Sequence, residues 1–223
     1  MRVKQPAGKR GSLKWIQRAV NEQWPSLNQP IAERTGSNAA ITWLSPLATD
    51  EFAEYRDNAF LKRIGQAPLA SALRGYWPGR GPQWDALGTT SRGDVLLVEA
   101  KAHIAEMRSP GTAAGAQSRC RIEAALTELA QQLGANPEHA PWSDHFYQLA
   151  NRLAHLHFLR AHGVSAWLVL VNFLGDRDMG GPATSEAWEA AYEAAFHVMG
   201  LPGKHPLSSF IIHVYPTVPA DLA

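Results

Sequence analysis

The stretch "GDVLLVEAKAH", residues 93–103, decides how this chain folds. Side chains alternate across a strand. Asp94, Leu96, Val98 and Ala100 therefore share one face, and Val95, Leu97, Glu99 and Lys101 share the other. Both faces are apolar until the segment ends, the pattern of a strand covered on both sides. Glu99 and Lys101 then leave the core together on one face. A carboxylate and an ammonium are costly to bury without partners, and ligands often bind at the end of strands in an open α/β sheet.

Working outward, "QWDALGTT" (83–90) reads as a strand and "SRG" (91–93) as a short turn, so the two strands form an antiparallel hairpin. That pairing brings Asp85 close to the Glu99 end of its neighbour. Two carboxylates converging on one spot repel unless a cation sits between them. Hard oxygen ligands with room for water suit Mg²⁺, with Mn²⁺ as its substitute. The main-chain carbonyl of Ala100 supplies a third ligand. Lys101 then stands beside a metal-bound water, to orient or deprotonate it, or to stabilise charge on a phosphoryl oxygen. The plain alternative is a surface Glu/Lys pair contributing about 0.5 kcal/mol.

The flanking segments predict an α/β layer fold in which helices cover a mixed central sheet of at least four strands. "TDEFAEYRDNAFLKRIG" (49–65) reads as a helix with Thr49 as N-cap and Gly65 as C-cap. Helices follow at 116–134, 143–163 (Ser143 as N-cap, Pro137 and Pro141 before it) and 184–200. Strands follow at 164–175 and 207–216. Residues 1–40 read as a basic, partly irregular extension with a weakly helical patch, and 41–223 as a single domain.

The arrangement of Asp85, thirteen residues, then Glu99-Ala100-Lys101 resembles the PD-(D/E)XK nuclease superfamily, which has the restriction-endonuclease-like fold. The resemblance spans about residues 49–135 and extends to 175. It implies a hydrolase: a Mg²⁺-dependent nuclease, endonuclease or exonuclease, cutting phosphodiester bonds, most readily those of DNA. Asp85 and Glu99 would be metal ligands and Lys101 the catalytic lysine. The helix before these strands supplies another acidic residue in the family; here Glu54 is the first candidate and Glu51 the second. Trp84 stands where the motif has proline. The alternative is a catalytically silent relative that binds nucleic acid or a protein.

Two patches bear on a nucleic-acid partner. Arg108, Arg119 and Arg121 lie just beyond Lys101, and a helix N-terminus with arginines can hold phosphates. Gln148, Asn151, Arg152 and His155 form a polar stripe at i, i+3, i+4 and i+7. It reads as solvent-facing; turned inward, Gln148 would reach a water or phosphate in the site. His155 and His157 point to different faces and make no zinc pair. His103 continues the Glu99 face and reads as structural, with proximity to a metal as the alternative. Trp77 and Trp84 read as core, with stacking against bases, alongside Arg80, as the alternative.

The composition sets the outer bounds. With 223 residues, 45% of them hydrophobic, the chain can bury a sizeable core. The single cysteine, Cys120, excludes an internal disulfide, fits a reducing compartment and reads as a buried small residue. The N-terminus has no secretory apolar region, and the longest apolar run, 166–175, is too short to span a bilayer. A cytoplasmic protein without a membrane partner is the expectation, as a monomer, a homodimer or part of a larger complex. The net charge of +1 is low for a protein that grips long DNA alone. A basic arm (Arg2, Lys4, Lys9, Arg10, Lys14, Arg18) precedes the first acidic residue, Glu22.

Overall fold

The computed structural model describes residues 1–36, 39–135, 142–144 and 146–220. Pro137 and Pro141 lie outside the described residues. In chain order the strands are β1 (Arg2–Val3), β2 (Ile41–Ser45), β3 (Glu54–Tyr55), β4 (Ala86–Thr90), β5 (Val95–Lys101), β6 (Ala166–Asn172) and β7 (Ile211–Val214). The helices are α1 (Gly11–Asn21), α2 (Pro25–Gly36), α3 (Asp57–Arg63), α4 (Ala70–Tyr76), α5 (Ala116–Gln132), α6 (Tyr147–Ala161) and α7 (Ser185–Val198).

The five-stranded sheet runs β2-β4-β5-β6-β7, and β1 pairs with β3 in a separate ribbon. β4 runs antiparallel to both of its neighbours, β2 and β5, and β5, β6 and β7 are parallel. β5 is thus the strand on which an antiparallel hairpin meets a parallel ladder. Its hairpin with β4 turns through Ser91-Arg92-Gly93; Gly93 has φ +88°, which a side chain would strain, and its N–H donates to the Thr90 carbonyl.

All seven β5 residues are buried. Leu96, Val98 and Ala100 join Trp15, Ile16, Val20, Leu27 and Ile31 of α1 and α2 in one core. Val95 and Leu97 join residues of α3 to α7 in the other. The alternation seen in the sequence is therefore the division between two helical layers. Burying a Leu or Val side chain is worth about 1.5–3 kcal/mol, so the layer formed by α1 and α2 is a major source of stability.

Residues 1–40 are accordingly not an irregular extension: α1 and α2 form one face of the fold, and the Trp15 indole donates to Asp176 at 2.7 Å. The expected helix over 49–65 is broken. Glu51, Phe52 and Asp57 all have positive φ near +50°, so the chain makes a one-turn 3₁₀ segment, then β3, and only then α3. β2 was not expected from the sequence, and α6 begins at Tyr147 rather than after Ser143. Cys120 is exposed, not buried, because it lies on the solvent side of α5. Trp77 and Trp84 are core residues.

Candidate functional site

The site forms at the C-terminal ends of the parallel strands, where β4 begins. Ala86 pairs with Val98, which leaves Asp85 just off the ladder, alongside the last residues of β5. The Asp85 Oδ2 accepts a hydrogen bond from the Ala100 N–H at 2.7 Å. In an extended strand the N–H and C=O of one residue point to the same edge, so the Ala100 carbonyl is also directed toward the space beyond β4. The Lys101 carbonyl points the other way and accepts from the Phe173 N–H.

Glu99 and Lys101 are only 5% and 7% exposed, so they form a buried pair rather than the surface pair considered above. Lys101 Nζ donates to Glu99 Oε1 at 2.9 Å and to Gln148 Oε1 at 3.2 Å. The other Glu99 oxygen accepts from Arg152, at 2.6 Å from Nε and 2.5 Å from Nη2. Arg152 also donates to the Gln83 carbonyl and to Asn151 Oδ1, and its guanidinium lies 5.0 Å from the Trp84 ring centroid. The polar stripe of α6 therefore faces inward, correcting the solvent-facing reading. Helical spacing located the stripe but not its rotation about the helix axis.

Glu54, Gln83, Asp85, Glu99, Gln148, Asn151 and Arg152 line one cavity of about 420 Å³. Glu54 reaches it from β3, not from a helix. It accepts from Gln83 at 2.5 Å and from Gln5 at 3.0 Å. The loop carrying Gln83 is fixed by a bond from the Gly81 N–H to Asp57 Oδ1. On the far wall the first turn of α6 is tied down by Ser109, whose Oγ accepts from the Gln148 N–H.

The carboxyls respond differently to this setting. Burial, then the charges of Glu99 and Glu54, push Asp85 well above the usual carboxylate range. Burial also raises Glu54, to about 7, against the hydrogen bond from Gln83. Burial opposes the Glu99 charge too, but Arg152 and Lys101 outweigh it and hold that carboxyl below its ordinary value. The pocket thus holds one firmly ionised carboxylate and two that resist ionisation in one another's presence.

Other sequence candidates lie elsewhere. Arg119 pairs with Glu123 and Asp144, both at 2.7 Å. Arg121 donates to the carbonyls of Arg74 and Gly75 at the end of α4. Arg108 lines a separate apolar groove. These three do not line the cavity, while Gln148 does. His103 pairs with Glu106 at 3.2 Å. His155 is buried among Phe60, Trp77 and Trp84, and burial lowers its imidazole to about 4. Arg152 is the partner that sequence reading underweighted; its place in the polar stripe was the available signal.

Among the described residues no three His, Cys, Asp or Glu side chains cluster closely enough to hold a metal ion by themselves. The donor set is smaller: two carboxylates, Asp85 and Glu99, and the Ala100 carbonyl. That is still the kind of set Mg²⁺ uses, because it keeps several waters and takes one or two carboxylates together with substrate phosphates. The mutual repulsion raising Asp85 is the feature a divalent cation would relieve. Comparisons of the chain with known protein families, with curated proteins and with solved structures return no match.

Proposed function

We propose that the cavity is the active site of a divalent-cation-dependent nuclease of the PD-(D/E)XK type, acting on phosphodiester bonds of DNA. One observation carries this reading: Asp85, Glu99 and Lys101, spaced as in that motif, meet at one sheet end, with Lys101 held by Glu99 and Gln148. Asp85, Glu99 and the Ala100 carbonyl would hold Mg²⁺ or Mn²⁺, which would neutralise phosphoryl charge and acidify a bound water. Lys101 Nζ, held between Glu99 and Gln148 just behind the cavity lining, would orient the attacking water or steady the developing oxyanion. Glu54, with its carboxyl raised to about 7, suits proton exchange near neutrality.

A second reading has an observation in its favour. Both Glu99 oxygens are already held by side-chain cations, the state expected of a fold that has traded metal for internal salt bridges. Such a protein would bind nucleic acid or a protein without cutting.

Incubation with single- and double-stranded DNA in Mg²⁺ or Mn²⁺ tests the first reading. Cleavage that falls at least about a hundredfold in Lys101→Ala and Asp85→Asn is expected, on the scale of a lost acid–base or electrostatic contribution. Absence of cleavage together with absence of Mn²⁺ binding would leave the silent module.

A further inference from the structure

A second cavity, of about 650 Å³, lies at the opposite edge of the sheet and is lined by Tyr192, Phe196, His213, Tyr215, Glu189 and Glu193, among others. Its position follows from register. Leu170 pairs with Glu99 on one side and with His213 on the other, so β6 separates it from the nuclease-like site. We propose that this cavity binds an organic cation carrying N–H donors, an alkylammonium or guanidinium group.

Three observations converge on that class. The wall is aromatic: Tyr192 meets His213 edge-on at 4.6 Å between centroids, His213 stacks with Tyr215 at 6.4 Å, and Tyr192 lies 6.1 Å from Phe196. Ring faces attract cations within about 6 Å. The charge is negative: Glu189 and Glu193 line the cavity, and among the described residues no lysine or arginine does. Burial and the neighbouring Glu189 charge raise the Tyr215 phenol to about 12, so that carboxylate lies close to the aromatic wall. Two histidines, His197 and His213, also line the cavity, and burial lowers His213 to about 4, which leaves that imidazole neutral against the two carboxylates. The His213 Nδ1 is buried with no hydrogen-bond partner among the described residues. An unpaired buried nitrogen is costly, and a small ring movement would give it an N–H to accept from.

The framework is rigid enough to be a site. Tyr192 is 4% exposed and its hydroxyl donates to the buried Asn172 Oδ1 at 3.0 Å, which fixes one wall against β6. A volume of this size lies within the range of small-molecule sites, about 300–1,000 Å³. The cation could be a free amine or the side chain of a partner's Lys or Arg, and the chemistry is the same.

The test is an NMR titration of the full chain with butylamine, butylguanidine, tetramethylammonium and butanol, followed at the Tyr192, Phe196, His213 and Tyr215 rings. Saturable shifts with butylamine or butylguanidine are expected, weaker for tetramethylammonium, which offers no N–H, and absent with butanol. Glu189→Gln/Glu193→Gln should weaken butylamine about tenfold or more, the size of a lost charge-assisted contact. Equal binding of butanol, no response to any cation, or an unchanged affinity in a folded double variant would overturn the proposal. An N-acetylated lysine peptide adds the source. If it binds as well as butylamine, the natural occupant is a partner's side chain; if only butylamine binds, it is a free amine. Both outcomes support the site.

Discussion

At the scale of single residues, Arg152 governs the electrostatics of the pocket. It is 5% exposed and bonded to Glu99, so removing it leaves a buried carboxylate with Lys101 as its only cation. Arg152→Gln should destabilise the protein by about 3 kcal/mol at neutral pH. Adding Glu99→Gln should recover part of that loss, giving a coupling of about 1 kcal/mol or more in a denaturation double-mutant cycle. Glu54 gives a prediction in pH. Its folded carboxyl sits at about 7, above the ordinary 4.5, so between those values the folded state holds a proton that the unfolded state has released. Stability from this group is therefore full at low pH and falls as pH rises from about 4.5 to 7, with Asp85 acting in the same direction. Glu99, with a lowered carboxyl, acts oppositely and loses its contribution only as pH drops through its folded value. Thermal melts of Glu54→Gln should show a flatter profile across that window, with the variant gaining about 2 kcal/mol on wild type at pH 7 and nothing at pH 4.

At the scale of elements, the layer formed by α1 and α2 holds the sheet's second face. Trp15 is fully buried in it and bonded to Asp176, so Trp15→Ala should cost about 3–5 kcal/mol, measurable as a lower denaturant midpoint. This layer was hard to read in the sequence. Its apolar residues are separated by Gly, Pro and Asn, and Pro30 lies inside α2, so propensity argued against helices that tertiary burial then supports. β5 was easy by contrast, because a strand buried on both faces writes its alternation and its charged end plainly. Asp85 followed from hairpin register alone. The turn chemistry at 51–57 was not legible, since positive φ at Glu51, Phe52 and Asp57 has no signature in residue type, and it moved Glu54 from a helix to a strand without removing it from the site. Arg152 and Asn151 were visible as a stripe, but nothing local records which way a helix is rolled.

At the scale of the whole molecule, the basic residues are turned largely on the protein itself. Arg2 and Lys4 pair with Asp50 and Glu51, Arg18 with Glu22, and Arg119 with Glu123 and Asp144. The basic N-terminal arm is thus partly neutralised, in keeping with a net charge of only +1. Among the described residues no helix is long and apolar enough to cross a membrane. On the proposed nuclease reading, long-range attraction to nucleic acid would be correspondingly modest, and recognition would fall to the cavity and its rim. The bond from the Ala100 amide to Asp85 has one further consequence, in amide exchange with solvent deuterium. β5 is hydrogen-bonded on both edges and covered on both faces, so its ladder amides can exchange only when the whole domain opens. Ala100 is exempt: its proton is guarded by a side chain, not by a neighbouring strand. In Asp85→Ala its exchange should accelerate about tenfold or more relative to Leu96 and Val98, whose rates report global stability in the same sample. The strand that forms the centre of the fold thereby carries, at its last turn of the ladder, an amide clock that runs on the state of the site.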